Sequence, residues 1–267
     1  MKKITFVLIA ASLLLVGACG NQQNKKKAET KATTADQYLK ADLKIQLDSL
    51  VAELMKLKSG IITTSIENGK ITLTEKEKKV KPNYLMPLEK AQEAATLSEK
   101  YRAVAIYMSD MAVAQMYDMP TDGYKQTITK LLADINSPVL TASFKDGESV
   151  NIDAALKDLY DECMKNSTMN LFWDIVVSSM VEQLYIVTQN TDKFIACFDD
   201  KSAADVTYRF VLVHNGITSL IPYHPEMKNL ETILKPLEVI NAMSVSELRD
   251  QLLELKGSIS TSRGELL

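Results

Sequence analysis

The sequence predicts an all-α protein, a single multi-helix bundle, on three observations. Helix breakers are scarce, with 9 Gly and 7 Pro in 267 residues, while Leu, Ala, Met and Lys, which favour helix, are common. Apolar residues recur at spacings of three and four through most of the chain. Two stretches, Leu97–Tyr117 and Asn170–Gln189, are apolar on nearly every face, the pattern of helices buried at the centre of a bundle. With 31 Lys+Arg against 34 Asp+Glu, mild acidity argues against a nucleic-acid partner.

The first helical segment is Asp36–Lys58. Leu39, Leu43, Leu47, Leu50, Leu54 and Leu57 form one apolar face, Asp36 caps the start and Gly60 lies beyond the end. Residues 61–74 carry the one β-like signal: Asn68-Gly69 separates Ile62–Ile66 from Lys70–Leu73, which reads as a small hairpin. A loop with one helical turn is the alternative. Helix is then expected from about Pro87 to Tyr117, interrupted near Thr96, where Thr96-Leu97-Ser98-Glu99 has capping-box form.

Met119–Gly123 is a turn, followed by helix to Ile135 and a restart at Ser137-Pro138, with Pro in the first helical position. Asn151 opens a helix with Ile152, Leu156, Leu159, Tyr160 and Cys163 on one face. Asn170–Gln189 is long enough to suggest a membrane span. It contains Asp174 and Glu182, and an acid at mid-bilayer costs about 2.5–3.5 kcal/mol, so a buried core helix is expected. Further helices are expected at Thr191–Phe198, Ala203–Leu220 and Glu226–Asn241, the last kinked at Pro236. A final helix follows the Ser244–Glu247 capping box.

The N-terminus carries an address. Lys2 and Lys3 precede an apolar run, Ile4–Val16, that is too short to span a bilayer and reads as a signal peptide over residues 1–18. Val16-Gly17-Ala18-Cys19 resembles the lipobox of bacterial lipoproteins, which implies cleavage before Cys19 and its acylation by diacylglycerol and a fatty acid such as palmitate. Two or more chains make a stable anchor. Residues 19–35 hold no large apolar side chain and read as a flexible tether reaching roughly 20–25 Å. Residues 36–267 form the helical domain. Cleavage removes Lys2 and Lys3 and takes the net charge from −3 to −5.

The two buried helices carry Tyr107-Met108-Ser109-Asp110-Met111-Ala112-Val113-Ala114 and Met180-Val181-Glu182-Gln183-Leu184-Tyr185. On these motifs the chain resembles uncharacterised all-helical lipoproteins of Bacteroidota, departing from them at Ala105 and Met180. The resemblance implies an all-helical fold and no known activity. Gly20–Asn24 after the lipidated Cys holds no acid, whereas proteins of that phylum often mark surface export with acids there, so the expected location is the outer membrane, facing the periplasm.

Asp110 and Glu182 are the sharpest polar positions, because an unpaired buried carboxylate is very costly. Tyr107 lies one turn before Asp110 and Tyr185 one turn after Glu182. These four residues are the candidate ligand-binding set. The competing reading is a hydrogen-bonded buried network that fixes helix register. Three roles follow: a non-enzymatic domain binding an envelope protein or small molecule, a hydrolase-like enzyme using Asp110 and Glu182 as acid and base, or a structural part of an outer-membrane complex. Cys163 and Cys197 are either two separate thiols or a disulfide. His214 and His224 stand in no zinc-helix spacing, and neither a Cys-x-x-Cys pair, a nucleophile elbow nor a phosphate loop is present, so no metal or cofactor is expected.

Overall fold

The computed structural model describes residues 41–57, 62, 65, 66, 69–144 and 152–267. The chain divides into two units, Met1–Ile45 and Gln46–Leu267. Of the first, only residues 41–45 are described, and they are helical. The signal peptide (1–18), Cys19, the tether (19–35) and the two ends of the Asp36–Lys58 segment lie outside the described residues.

The second unit is all-α, with no strand among the described residues. Its main helices are α1 (46–54), α2 (Leu97–Met116), α3 (Asp122–Ile135), α4 (Pro138–Ser143), α5 (Ile152–Asn166), α6 (Met169–Gln189), α7 (Asp200–Leu220), α8 (Lys228–Leu234), α9 (Val245–Glu254) and α10 (Lys256–Gly264). Local chemistry explains the boundaries. Thr96 and Glu99 close a full capping box at the start of α2, so the run expected from Pro87 breaks into a 3₁₀ turn, Leu88–Gln92, and α2 proper. Ser137 caps α4, with Pro138 in its first turn. Asp199 and Ser202 make a second box and start α7 three residues earlier than its apolar pattern does. Pro236 converts the end of the Glu226–Asn241 segment into a 3₁₀ turn, Lys235–Leu237, because proline removes a helical N–H donor.

The hairpin expected at 61–74 is not formed. Ile62, Ser65 and Ile66 are helical. Gly69 sits at φ 65°; its N–H donates to the Ile66 carbonyl at 3.0 Å and the Lys70 N–H to that of Ser65 at 2.8 Å. This is the Schellman pattern that ends a helix at a left-handed glycine. Gly69 supplies the same left-handed backbone that a hairpin turn needs, and Lys70–Leu73 pair with no strand among the described residues.

The core is the pair α2 and α6. Arg102 of α2 meets Asp174 of α6, and Asp110 meets Glu182 eight residues further along both helices. A constant sequence offset means that the two helices run parallel and in register. Their 18 residues Ala103–Ile106, Met108, Met111–Ala114, Leu171–Trp173, Ile175–Val177, Val181, Leu184 and Ile186 are buried. Met169–Gln189 alone among the described helices is long and apolar enough to cross a membrane, but protein covers nearly all of it. Trp173 is fully buried and packs on Gly216 of α7 so closely that a β-carbon there would lie 2.2 Å from its ring. α10 crosses α6 and delivers Arg263 to it.

Candidate functional site

Each of the four residues singled out in the sequence lies near one buried cluster. Asp110 and Glu182 are both fully buried. The missing partner is Arg263, whose Nε donates to Glu182 Oε2 at 2.7 Å and whose Nη2 donates to Oε1 at 3.0 Å, a two-pronged carboxylate clamp. The same Nη2 lies 3.6 Å from Asp110 Oδ2. Both acids therefore share one guanidinium, and Asp110 Oδ2 and Glu182 Oε1 are at most 6.6 Å apart. Asp110 Oδ2 also accepts the Met86 N–H at 2.6 Å. Tyr185 lies flat under the cation, its ring centre 4.1 Å from Arg263 Cζ. Tyr107 points elsewhere: its hydroxyl donates to the Pro87 carbonyl at 2.8 Å, holding the 3₁₀ turn against α2.

One cation cannot balance two buried carboxylates, so the cluster keeps a proton. Burial, then the neighbouring Glu182, pushes the Asp110 carboxyl well above its usual range, against the pull of Arg263. Burial also raises Glu182, but Arg263 and the bond from Asp110 oppose it. Asp110 is therefore the protonated member and Glu182 the ionised one. Asp110 Oδ1 is buried and has no hydrogen-bond partner among the described residues, a position that a neutral carboxyl tolerates better than an ionised one. Burial tends to lower the Arg263 pKa, yet the charge and hydrogen bonds of Glu182 raise it, so the cation persists. Burial raises the phenols of Tyr84, Tyr107 and Tyr124, Tyr124 to about 12. Chemically this is a sealed, neutralised lock between α2, α6 and α10.

The other rung of the α2–α6 pair is different. Arg102 Nε donates to Asp174 Oδ1 at 2.6 Å, and both side chains are nearly buried. Burial raises the Asp174 carboxyl, with Arg102 opposing. A cleft of about 390 Å³ opens beside this pair. Ser98 and Glu99 from the first turn of α2, Asn170 from the first turn of α6, and Glu226 and Asn229 supply its polar lining, over Met227 and Leu230. The volume lies in the range of small-molecule sites.

Sequence reading missed Arg263, Arg102 and the cleft. Arg102 had the same local signal as Asp110, a charge inside an all-apolar helix. Arg263 had none, since its surroundings are Ser, Thr and Gly. Cys163 and Cys197 are free thiols, the first buried and pushed up to about 11 by burial. His214 pairs with Glu238 at 2.8 Å and His224 with Glu226 at 3.1 Å. Compared with protein-family models, curated proteins and solved structures, the chain has no match.

Proposed function

We propose that this chain is a bacterial envelope lipoprotein, held in the outer membrane through Cys19 and facing the periplasm, whose helical domain works by binding a small molecule rather than by catalysis. The lipobox-like Val16–Cys19 and the likeness of the Tyr107–Ala114 and Met180–Tyr185 motifs to helical lipoproteins of Bacteroidota support the setting. One observation carries the role. The acid pair best placed for acid–base chemistry, Asp110 and Glu182, is sealed on Arg263, whereas an open polar volume lies at the Arg102–Asp174 rung. Their carboxyl oxygens, at most 6.6 Å apart, do not exceed the upper limit of about 9.5 Å for paired-carboxylate hydrolases, but a substrate has to reach the acids, and neither is exposed.

Two experiments test this. Metabolic labelling with palmitate marks the full chain in the membrane fraction, and Cys19→Ser loses both label and membrane retention; an unlabelled full chain overturns the anchor. Native mass spectrometry of the full chain released in mild detergent finds a bound small mass, which Asn170→Ala weakens; the same mass retained in full by that variant overturns the cleft as the binding site. A second reading, a structural part of an envelope complex, draws on exposed Tyr208 and Val211 of α7 and exposed Val239 and Met243, brought close by the Thr207 hydroxyl donating to the Ala242 carbonyl. Photo-cross-linking from position 211 in cells tests it: a specific adduct supports it and none overturns it.

A further inference from the structure

The Arg102 guanidinium is only partly used. Its residue is 7 % exposed and lines the cleft. Nε is bonded to Asp174, while neither Nη nitrogen has a hydrogen-bond partner among the described residues. A guanidinium carries five N–H donors in a rigid fork suited to a carboxylate, so four donors remain. The backbone adds to this. α2 and α6 are 20 and 21 residues long, run parallel, and both begin at the cleft. Their N-terminal dipole ends therefore favour negative charge at the same place. Thr168, which precedes α6, makes no side-chain capping bond.

A bare anion nevertheless fits poorly. Asp174 already balances Arg102, and Glu99 and Glu226 add two negative charges to the lining. Glu99 is committed, its Oε2 accepting the Ala95 and Thr96 N–H groups at 2.9 and 2.7 Å. Glu226 is exposed and meets only His224 through Oε1, so its other oxygen is free to accept. A bare cation, in turn, would face the unused Arg102 donors. A ligand with both charges satisfies both ends.

We infer that the cleft binds a small zwitterion of amino-acid or dipeptide size, its carboxylate on the Arg102 Nη nitrogens and the Asn170 amide, its ammonium on Glu226. This rests on the binding role proposed above and assigns its ligand class. Asp174 is a positioning residue: it holds Nε so that the remaining fork faces the cleft.

Calorimetry and thermal shift on the full chain test the inference with L-alanine, di-L-alanine, propionate, ethylammonium and inorganic phosphate, each at millimolar concentration. At least one zwitterion binds about tenfold or more tightly than propionate or ethylammonium, and Glu226→Gln weakens it by about tenfold, the loss of one charge-assisted bond. Since Glu226 is exposed, that variant melts like the parent without ligand. Asn170→Ala weakens the zwitterion without changing the order of the panel. Alanine against dialanine separates a free amino acid from a peptide. Propionate or phosphate binding as tightly as the zwitterions refutes the ligand class and leaves the cleft as a binding site. No binding by any probe refutes the ligand class together with the binding role of the cleft.

Discussion

Asp110→Asn tests the shared proton directly. Folding requires the Asp110 carboxyl, ordinarily ionised above pH 3.8, to enter the native state protonated beside ionised Glu182. Its native pKa is raised. Its contribution to stability is therefore fully present below pH 3.8 and is lost as pH rises toward the native value. One proton taken up on folding gives a slope of about 1.4 kcal/mol per pH unit. That slope holds from about pH 4 until the pH reaches the native pKa of Asp110, and the difference levels off above it. Asparagine needs no proton. Its carbonyl takes the place of Oδ2, accepting the Met86 N–H, and its amide donates to Glu182. The second amide hydrogen finds no acceptor, at a cost of about 1–3 kcal/mol.

Asp110→Asn is thus expected to be less stable than the parent at pH 4 and to gain on it as pH rises, by about 1.4 kcal/mol per pH unit up to the native pKa of Asp110. Urea unfolding at each pH, followed by fluorescence of the single Trp173, measures this. Titrating groups outside the cluster change both proteins alike and cancel in the difference. Parallel stability curves from pH 4 to 8 would mean that Asp110 is ionised in the native protein, and the one-proton account of the cluster would be wrong.

Removing the cation has the opposite character. Arg263→Met leaves Glu182 buried without its clamp and costs about 3–5 kcal/mol, and adding Glu182→Met recovers most of that loss; urea midpoints of the single and double variants decide it. Gly216→Ala places a methyl group 2.2 Å from the Trp173 ring; the overpacking costs about 1–3 kcal/mol and alters the Trp173 emission of the folded protein. Gly69→Ala strains the left-handed helix end at φ 65° by about 1 kcal/mol, read as a lower melting temperature with unchanged helical circular dichroism.

What the sequence made legible follows from the range of each signal. The all-round apolar runs gave α2 and α6, because burial on every face is written into each stretch alone. The breaks at Thr96 and Pro138 were legible because capping side chains act within four residues. Asn68-Gly69 was legible as a left-handed turn but not as which kind, since helix end and hairpin ask the same of the glycine. Asp110 and Glu182 stood out as acids needing a partner, and the structure brings them together with Tyr185 beside them. Arg263 lies 81 residues beyond Glu182 in a polar segment, where an arginine is the ordinary surface residue. Only its arrival on α6 makes it exceptional. Asp174 was read as an argument against a membrane span, although its offset of 72 residues from Arg102 equals that of Glu182 from Asp110. The cleft depends on Glu226 and Asn229 meeting the first turns of two helices, a contact that no local pattern announces.

The two rungs of the α2–α6 pair divide the work. They stand eight residues apart, about 12 Å along the helices, and each joins charges that are costly to leave unpaired in a buried setting. Slippage of one helix past the other by a turn unpairs both rungs at once, so the sealed rung holds the open one in register. The position of the Arg102 fork in the cleft then depends on Arg263 at the far end. An apolar replacement of the lock, Arg263→Met with Glu182→Met, and with Asp110→Asn to remove the remaining acid, separates stability from register. Stability returns toward that of the parent, while L-alanine or dialanine affinity at the cleft falls, because apolar packing tolerates small shifts that a two-pronged clamp does not. Equal ligand affinity in the parent and this variant, measured by calorimetry, would show that the open rung keeps its geometry without help from the sealed one.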